Sequence, residues 1–257
     1  IIPEMGAAGL AIASLITRYL MGFVLFFYCY KKINIQHHKD KNYYKDMLKV
    51  GIPASFAVII EFAGFNLITI IMGRISGIYA AAQNIIFTMT SVSYMIPFAI
   101  ANATAIKVGY ANGAKYFKSL KTFAYTGISM SVTFMTCSAI VVATFPEFLL
   151  KLFTNDPELI KVCIPIVYVL CFFQIFDGLQ VTLAGIFKGL KQTTVVMVAN
   201  FISYFLVSIP LGCFLALYCH KNLIGFWYSL GCASLILCII MFITMITTFG
   251  KMKTVGE

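Results

Sequence analysis

Seven long apolar segments, separated by short polar breaks, limit the architectures that this chain can adopt. They cover residues 5–30, 51–73, 79–106, 121–145, 158–187, 193–218 and 223–249. A membrane-spanning helix needs about 20 apolar residues, so each segment is long enough to cross a bilayer. Only helices and closed barrels satisfy their backbone hydrogen bonds in lipid, and these segments lack the alternating polarity of barrel strands. The sequence therefore predicts an all-α polytopic membrane protein with seven transmembrane helices.

The composition agrees with a membrane protein and argues against other classes. The chain is 61% hydrophobic and 11% charged, whereas soluble domains are about a quarter charged. Its net charge of +10 lies mainly in short loops, so we expect no nucleic acid partner. The eight cysteines lie in or beside apolar segments without a CxxC pair, which indicates helix packing. No nucleophile–base triad, phosphate loop or metal-ligand cluster is visible, so we do not expect an enzyme.

The positive residues predict how the chain crosses the membrane. The loops at 31–49, 107–121, 188–191 and 251–253 hold 14 lysines, and the alternate loops hold 4 lysines and arginines. The positive-inside rule places the lysine-rich loops in the cytoplasm. Ile1 is then extracytoplasmic and the C-terminus is cytoplasmic.

The polar segment at residues 31–49 separates the first predicted helix from the other six. A weak repeat relates AGLAIASLI in the first helix to IGFWYSLGCASLI in the last, as expected for tandem transporter halves. We therefore expect residues 1–30 to be the last helix of an N-terminal lobe. Residues 31–49 would be a cytoplasmic interlobe loop, and residues 50–257 a six-helix C-terminal lobe. The missing N-terminal lobe of the same protein would be the partner of this chain.

Local signals mark helix starts and irregularities. In the outer break FTNDPE, Asn155 or Asp156 is suited to cap a helix, with Pro157 at its first position. Pro97 and Pro210 lie inside the third and sixth predicted spans, where proline removes a helix hydrogen bond and usually causes a kink.

Two acidic residues, Glu61 and Asp177, lie inside the predicted spans. A charge at membrane depth costs roughly 2.5–3.5 kcal/mol on insertion scales, so such residues usually face a cavity and have a function. Arg18, in the first predicted span, is the one basic residue at this depth. A structural ion pair between Arg18 and one of the acids is the alternative interpretation.

Polar neighbours favour a lined chamber around these acids. Gln174 and Gln180 lie three residues before and after Asp177, on one helix face. Gln83 and Tyr94 are eleven residues apart and project within about 20° of each other on another helix. Single polar residues often only hold helices together, but two polar stripes predict a chamber.

The chemistry available to these acids is reversible cation exchange. A carboxyl group removed from water favours its neutral form and can carry a proton, and its oxygens can instead bind Na⁺. Either ion would compete with a cationic organic substrate for the same charges, which is the minimal requirement for antiport. We expect Na⁺ or H⁺ as the coupling ion and no other cofactor.

Three segments resemble the multidrug and toxic compound extrusion (MATE) family, in particular its NorM-like bacterial branch. They are GIPASFAVIIEFAGFNLITIIMGRISGIYAAAQNI, SYMIPFAIANATAIKVG and IFDGLQVTLAGIFKGLKQT. The resemblance implies a twelve-helix antiporter of two six-helix lobes in the bacterial inner membrane. It implies export of cationic or amphipathic drugs in exchange for Na⁺ or H⁺, with those small molecules and membrane lipid as partners.

The resemblance also implies roles for individual residues. Glu61 and Asp177 match the acids that bind the coupling cation in the second lobe, with Na⁺ as the one metal ion expected there. Tyr94 matches a tyrosine whose ring face contacts that cation. Phe173 stands where some relatives have a tyrosine, so one hydroxyl ligand is absent. The residues expected to line the substrate cavity are Gln83, Gln174, Gln180 and Phe173.

Two other functions fit the architecture less well. A flippase for lipid-linked saccharides would need more cationic residues in its cavity, and Arg18 is the only candidate in the predicted spans. A seven-helix receptor-like binding protein would match the number of spans, but the acids on separate helices form no recognisable ligand motif.

Overall fold

The computed structural model describes residues 6–32 and 43–255, and every regular element in these two ranges is helical. The chain divides into two compact units, one ending at Tyr44 and the other beginning at Lys45. Seven helices in the described part of the chain are long and apolar enough to cross a membrane. The predicted all-α fold with seven spans is confirmed.

The first unit contains α1 (Gly6–Lys32), and the second contains the remaining helices. The long helices of the second unit are α2 (Tyr43–Ile75), α3 (Gly77–Gly113), α4 (Phe117–Thr144), α6 (Pro157–Gly189) and α9 (Asn222–Val255). The short helices are α5 (Pro146–Lys151), α7 (Thr193–Phe201) and α8 (Ile209–Cys213). The helices of the second unit therefore form the body that contains both membrane-embedded acids.

The helices extend beyond the apolar segments from which they were predicted. Residues 43–49, expected to be part of a loop, form the first turns of α2. This stretch has good helix formers and no breaker, and Asp46 in the first turn favours the positive end of the helix dipole. The remainder of the predicted loop, residues 33–42, lies outside the described residues. The predicted span began at residue 51 because the residues before it are polar. The observed helix begins at Tyr43 because those polar residues are still compatible with a helix.

The start of α6 follows the predicted capping pattern. The Asp156 Oδ1 atom accepts a hydrogen bond from the backbone N–H of Glu158 at 2.9 Å, and Pro157 is the first helical residue. This bond satisfies one of the free donors at the helix N-terminus. Asp156, rather than Asn155, is therefore the cap.

Helix α6 lies at the centre of the second unit, packed against α3, α4 and α9. Apolar side chains surround its middle on all faces, which is typical of a buried helix. The predicted polar residues Gln174, Asp177 and Gln180 are all buried on it. The central position of α6 removes these three polar groups from lipid and places them among other helices.

Small residues bring α3 and α6 close together. On α3 these are Ala101, Ala105 and Gly109, spaced four residues apart, and on α6 they are Gly185 and Gly189. A Cβ atom added at Gly189 would lie 2.6 Å from the carbonyl oxygen of Ala105, and one at Gly185 would collide with that of Ala101. Such spacing of small residues allows helix backbones to approach in membranes. This close approach also places the C-terminal ends of α3 and α6, which lead into two of the lysine-rich loops, on the same side of the second unit.

The sixth span is irregular. After α7 the backbone is π-helical from Ile202 to Ser208, and a second π-helical segment runs from Phe214 to Tyr218. Pro210, predicted to disturb this span, lies in the short helix α8 between them. Pro97, by contrast, lies within α3, which is assigned as one continuous α-helix. π-helical turns are rare and are frequent at functional sites, which directs attention to this span.

Candidate functional site

A cavity opens within the second unit, between α2, α3, the C-terminal part of α6, and α7. Its volume is about 60 Å³, which is enough for a few water molecules or an ion but not for a drug-sized molecule. The polar and charged residues that line it are Glu61, Tyr94, Asn102, Gln180, Lys188, Thr193 and Asn200. Three predicted site residues, on three different helices, therefore share one cavity.

Gln180 connects two groups that are far apart in sequence. Its Nε2 atom lies 3.5 Å from Glu61 Oε1 and 3.2 Å from Tyr204 Oη. The first is a long hydrogen bond and the second has ordinary length. Gln180 and Tyr204 are both buried. The amide thus donates to a carboxylate on α2 and to a hydroxyl in the first π-helical segment.

Tyr94 lies on α3 and faces the same cavity. Its ring stacks on the ring of Phe98, with a centroid distance of 5.7 Å and an interplanar angle of 27°. This contact restrains the ring orientation while the hydroxyl stays close enough to Glu61 and Asp177 to interact with both charges. The position permits the cation contact predicted for Tyr94, which remains a prediction.

Asp177 lies one helical turn before Gln180 and is 3% exposed. Its charge interacts with that of Glu61. No hydrogen bond to the Asp177 carboxylate is found among the described residues. A buried carboxylate without such bonds is unfavourable unless it takes up a proton or a cation. Asp177 and Glu61 are therefore close enough for their charges to interact, although they lie on different helices.

Side chains of α4, α9 and α6 itself donate hydrogen bonds to the backbone on both sides of Asp177. Ser131 Oγ on α4 and Thr182 Oγ1 on α6 donate to the carbonyl oxygen of Gly178, at 2.8 and 3.0 Å. Cys238 Sγ on α9 donates to the carbonyl oxygen of Phe176 at 3.2 Å. These contacts fix the part of α6 that carries the aspartate, so the acid projects from a well-supported turn.

The lining of the cavity also contains a positive charge. Lys188, in the last turn of α6, lines the cavity and interacts electrostatically with Glu61. Beside it, Thr193 Oγ1 donates to the carbonyl oxygen of Val50 at 2.8 Å. The cavity therefore extends from the acid towards the lysine-rich end of the helices.

Three residues predicted for the substrate cavity do not line this one. Gln83 Oε1 accepts a hydrogen bond from Trp227 Nε1 at 2.9 Å, and both side chains are buried. Phe173 is also buried, with its ring 5.6 Å from that of Trp227 and 6.3 Å from that of Phe65. Gln174 is buried with no described partner for either amide atom. These side chains belong to the packed interior of the helices, and only Gln180 of the predicted set reaches the cavity.

Sequence reasoning missed Tyr204, Asn200 and Lys188. Asn200 Nδ2 donates to the carbonyl oxygen of Ala57 at 3.0 Å and so ties α7 to α2 next to the cavity. Asn200, Tyr204 and Ser208 are spaced four residues apart in an apolar span, a polar stripe that was visible in the sequence. Asn200, Tyr204 and Ser208 carry no charge, so the cost of charge at membrane depth does not distinguish them.

The acids do not form a conventional metal site. No group of three or more His, Cys, Asp and Glu side chains able to hold a metal ion is found in ranges 6–32 and 43–255. Other oxygen-bearing side chains line the cavity together with Glu61: Tyr94, Asn102, Gln180, Thr193 and Asn200. The Gln180 Oε1 atom is buried and has no hydrogen-bond partner among the described residues.

The arrangement of the helices is that of a polytopic membrane protein with the MATE transporter fold. The eukaryotic MATE transporter AtDTX14 superposes with a TM-score of 0.88 at 21% identity, over 96% of this chain and 57% of that structure. A multidrug resistance MATE family transporter in an outward-facing conformation gives a TM-score of 0.81 at 17% identity, over 97% of this chain and 58% of the other. At these identities the likeness concerns the fold alone.

Sequence comparison assigns the family. The MatE family model matches residues 53–214, and the chain belongs to this family. The probable multidrug resistance protein NorM of Bacillus subtilis is 25% identical over 236 residues, 89% of this chain and 52% of that protein. The protein of the same name from Photorhabdus laumondii is 29% identical over 254 residues, 95% of this chain and 56% of that protein. The chain thus spans about half the length of these curated relatives.

Proposed function

We propose that this chain is the C-terminal lobe, with the preceding helix, of a twelve-helix transporter that exports cationic or amphipathic compounds in exchange for Na⁺ or H⁺. The observation that carries the proposal is the pair of acids in the helices of one lobe: Asp177 is buried, and Glu61 is half-buried and lines a water-sized cavity. Their function is transport rather than catalysis. Residues 1–30 then end the first lobe, and the region around 31–49 joins the two lobes.

The electrostatics of the two acids support a coupling-ion site. Two carboxylates in a poorly solvated interior repel each other, and each loses hydration. Lys188 is the single basic side chain among the described cavity residues, so the site keeps an excess negative charge. Uptake of one proton or one Na⁺ relieves the repulsion, and its release restores it.

The cavity is large enough for an ion but too small for a drug, so we expect two different binding sites. A drug-sized ligand needs about 300 Å³ or more, whereas this cavity has about 60 Å³. The organic substrate therefore binds outside it, between this lobe and the N-terminal lobe. An ion bound at the acids would reduce the negative charge of the site and so weaken its attraction for a cationic substrate. Binding of the ion and binding of the substrate would therefore be coupled.

The position of Lys188 supports a route for the ion. The cavity joins Glu61 to the lysine-rich end of the helices, which the positive-inside rule places in the cytoplasm. An ion can leave towards that side after export of the substrate. This arrangement agrees with Ile1 outside, the C-terminus inside, and localisation in the bacterial inner membrane.

The alternative of a flippase for lipid-linked saccharides receives less support. A polyanionic headgroup would require several cationic side chains, and the described cavity contains one lysine against Glu61, with Asp177 close by. The balance of charge favours a cationic ligand.

The test is transport by the full-length protein in proteoliposomes, with Na⁺ and pH gradients imposed separately. Wild-type protein should move an organic cation under one of the two gradients. Asp177→Asn should abolish this flux, because the amide keeps the shape of the side chain but loses the charge. Glu147→Gln, in the outer helix α5, is the matched control and should transport normally. Unchanged flux in Asp177→Asn would exclude the proposed mechanism.

A further inference from the structure

Tyr204 is a buried tyrosine in the first π-helical segment of the sixth span. It is 2% exposed, and its Oη atom accepts the hydrogen bond from Gln180 Nε2 at 3.2 Å. No acceptor for the Tyr204 hydroxyl proton is found in the described part of the chain. Its single polar contact therefore joins it to the amide that also donates to Glu61.

The ring of Tyr204 is held against the same helix that carries Glu61. A Cβ atom added at Gly64 would lie 3.1 Å from Tyr204 Cδ1, and the ring of Phe65 is 6.1 Å away by centroids. Gly64 and Phe65 follow Glu61 by three and four residues, so they occupy the next turn on its side of α2. Gly64 permits this approach because it lacks a side chain.

The π-helical backbone contributes to the placement of the hydroxyl. Earlier in the same span, Thr193 and Asn200 donate to α2 carbonyl oxygens, so this face of the span follows α2 for several turns. At Tyr204 the polar contact passes instead to Gln180 on α6. Tyr204 lies in the π-helical segment Ile202–Ser208, so its ring packs on α2 while its hydroxyl contacts α6.

We propose that Tyr204 is a positioning residue of the coupling-ion site, acting through Gln180 on Glu61; this rests on the proposed function. The Tyr204 hydroxyl holds the amide with its NH₂ group towards the carboxylate, which stabilises the empty, negatively charged site. Tyr204 thus lowers the affinity of the site for the cation and promotes its release.

The first experiment measures cation binding without transport. Na⁺, or protons if Na⁺ has no effect, is titrated against the thermal unfolding of the purified full-length protein, because a ligand of the folded state raises its melting temperature. Tyr204→Phe keeps the ring and removes the hydroxyl. The half-saturating cation concentration should fall about two- to tenfold, the range that corresponds to one hydrogen bond. Tyr168→Phe, which removes an exposed hydroxyl on α6, should leave it unchanged.

A double-mutant cycle tests the route through Gln180. Gln180→Leu alone should lower the half-saturating concentration, and adding Tyr204→Phe should then cause no further change. An equal effect of Tyr204→Phe in both backgrounds would overturn the inference. So would a rise in the half-saturating concentration, because it would identify the hydroxyl as a direct cation ligand. If Tyr204→Phe does not fold, Gln180→Leu tests the same hydrogen bond from its other end.

The outcome separates this inference from the proposed function. If the wild-type protein binds the cation but shows no cation-driven flux, the antiport proposal fails and the binding cycle still decides the role of Tyr204. If the wild-type protein transports but its cation binding is insensitive to the Tyr204 hydroxyl, the inference alone fails. Absence of cation binding by the wild-type protein would reject both.

Discussion

Gln180 Nε2 lies 3.5 Å from Glu61 Oε1, although 119 residues separate the two side chains. The contact joins the central helix α6 to α2 and brings a carboxylate, an amide and a phenol into one group. Helix α6 also carries Asp177, one turn before Gln180, so the helix that carries one acid also carries the amide that contacts the other.

We expect Glu61→Gln to remove cation-induced stabilisation of the full-length protein. A neutral amide provides no net charge to attract the ion. At a cation concentration of 100 times Kd, wild-type protein gains about 2.7 kcal/mol by mass action, and the variant should gain none. Thermal unfolding with and without the coupling ion measures this difference. Glu158→Gln, in the exposed first turn of α6, is the control and should behave as wild type.

Lys188→Gln should make the coupling ion bind more readily at low salt. The lysine charge repels a cation in the cavity, and its removal should lower the half-saturating concentration by about two- to fivefold, a modest effect at high effective dielectric. Salt screens exposed charges, so the difference should shrink as ionic strength rises. The measurement is cation-dependent flux at two ionic strengths. Lys191→Gln, in the adjoining turn and outside the cavity lining, should show no comparable shift; an equal shift there would contradict the role of the cavity.

Gly185→Ala should destabilise the packing of α3 against α6. The added methyl group would collide with the backbone carbonyl oxygen of Ala101, which cannot move without displacing α3. We expect a loss of about 1–3 kcal/mol, seen as a lower melting temperature of the purified protein. Gly51→Ala is the matched control, because a Cβ atom there meets nothing within 4 Å. A similar decrease in both variants would show that the close approach is not the cause.

Gln83→Leu should reduce stability without changing the cation dependence of transport. The substitution leaves the buried Trp227 Nε1–H without its acceptor, which costs about 1–3 kcal/mol. Adding Trp227→Phe removes the unsatisfied donor, so the double variant should be less destabilised than the sum of the two single changes. Melting temperatures give the stability, and flux measurements give the half-saturating cation concentration. A changed substrate preference in Gln83→Leu would instead support the predicted substrate-cavity role.

Helical periodicity predicted the faces of the helices more reliably than their partners. Gln83 and Tyr94 were placed on one side of a single helix, yet Tyr94 reaches the cavity and Gln83 binds Trp227. The two residues are separated by three helical turns, so a shared face does not imply a shared neighbour. The helix that packs against each turn of α3 depends on tertiary packing, which cannot be read from the spacing of residues along α3.

The sequence by itself determined the membrane fold, because length and apolarity decide which segments can leave water. It also predicted a function for Glu61 and Asp177, because a charge at membrane depth is costly wherever it lies. Only the tertiary structure decided that Gln180 bridges Glu61 and Tyr204, while Gln174 and Phe173 remain in the packed interior. The physical reason is that the α3–α6 approach and the π-helical turns of the sixth span set distances and angles between helices. Those quantities arise from contacts among residues far apart in the chain.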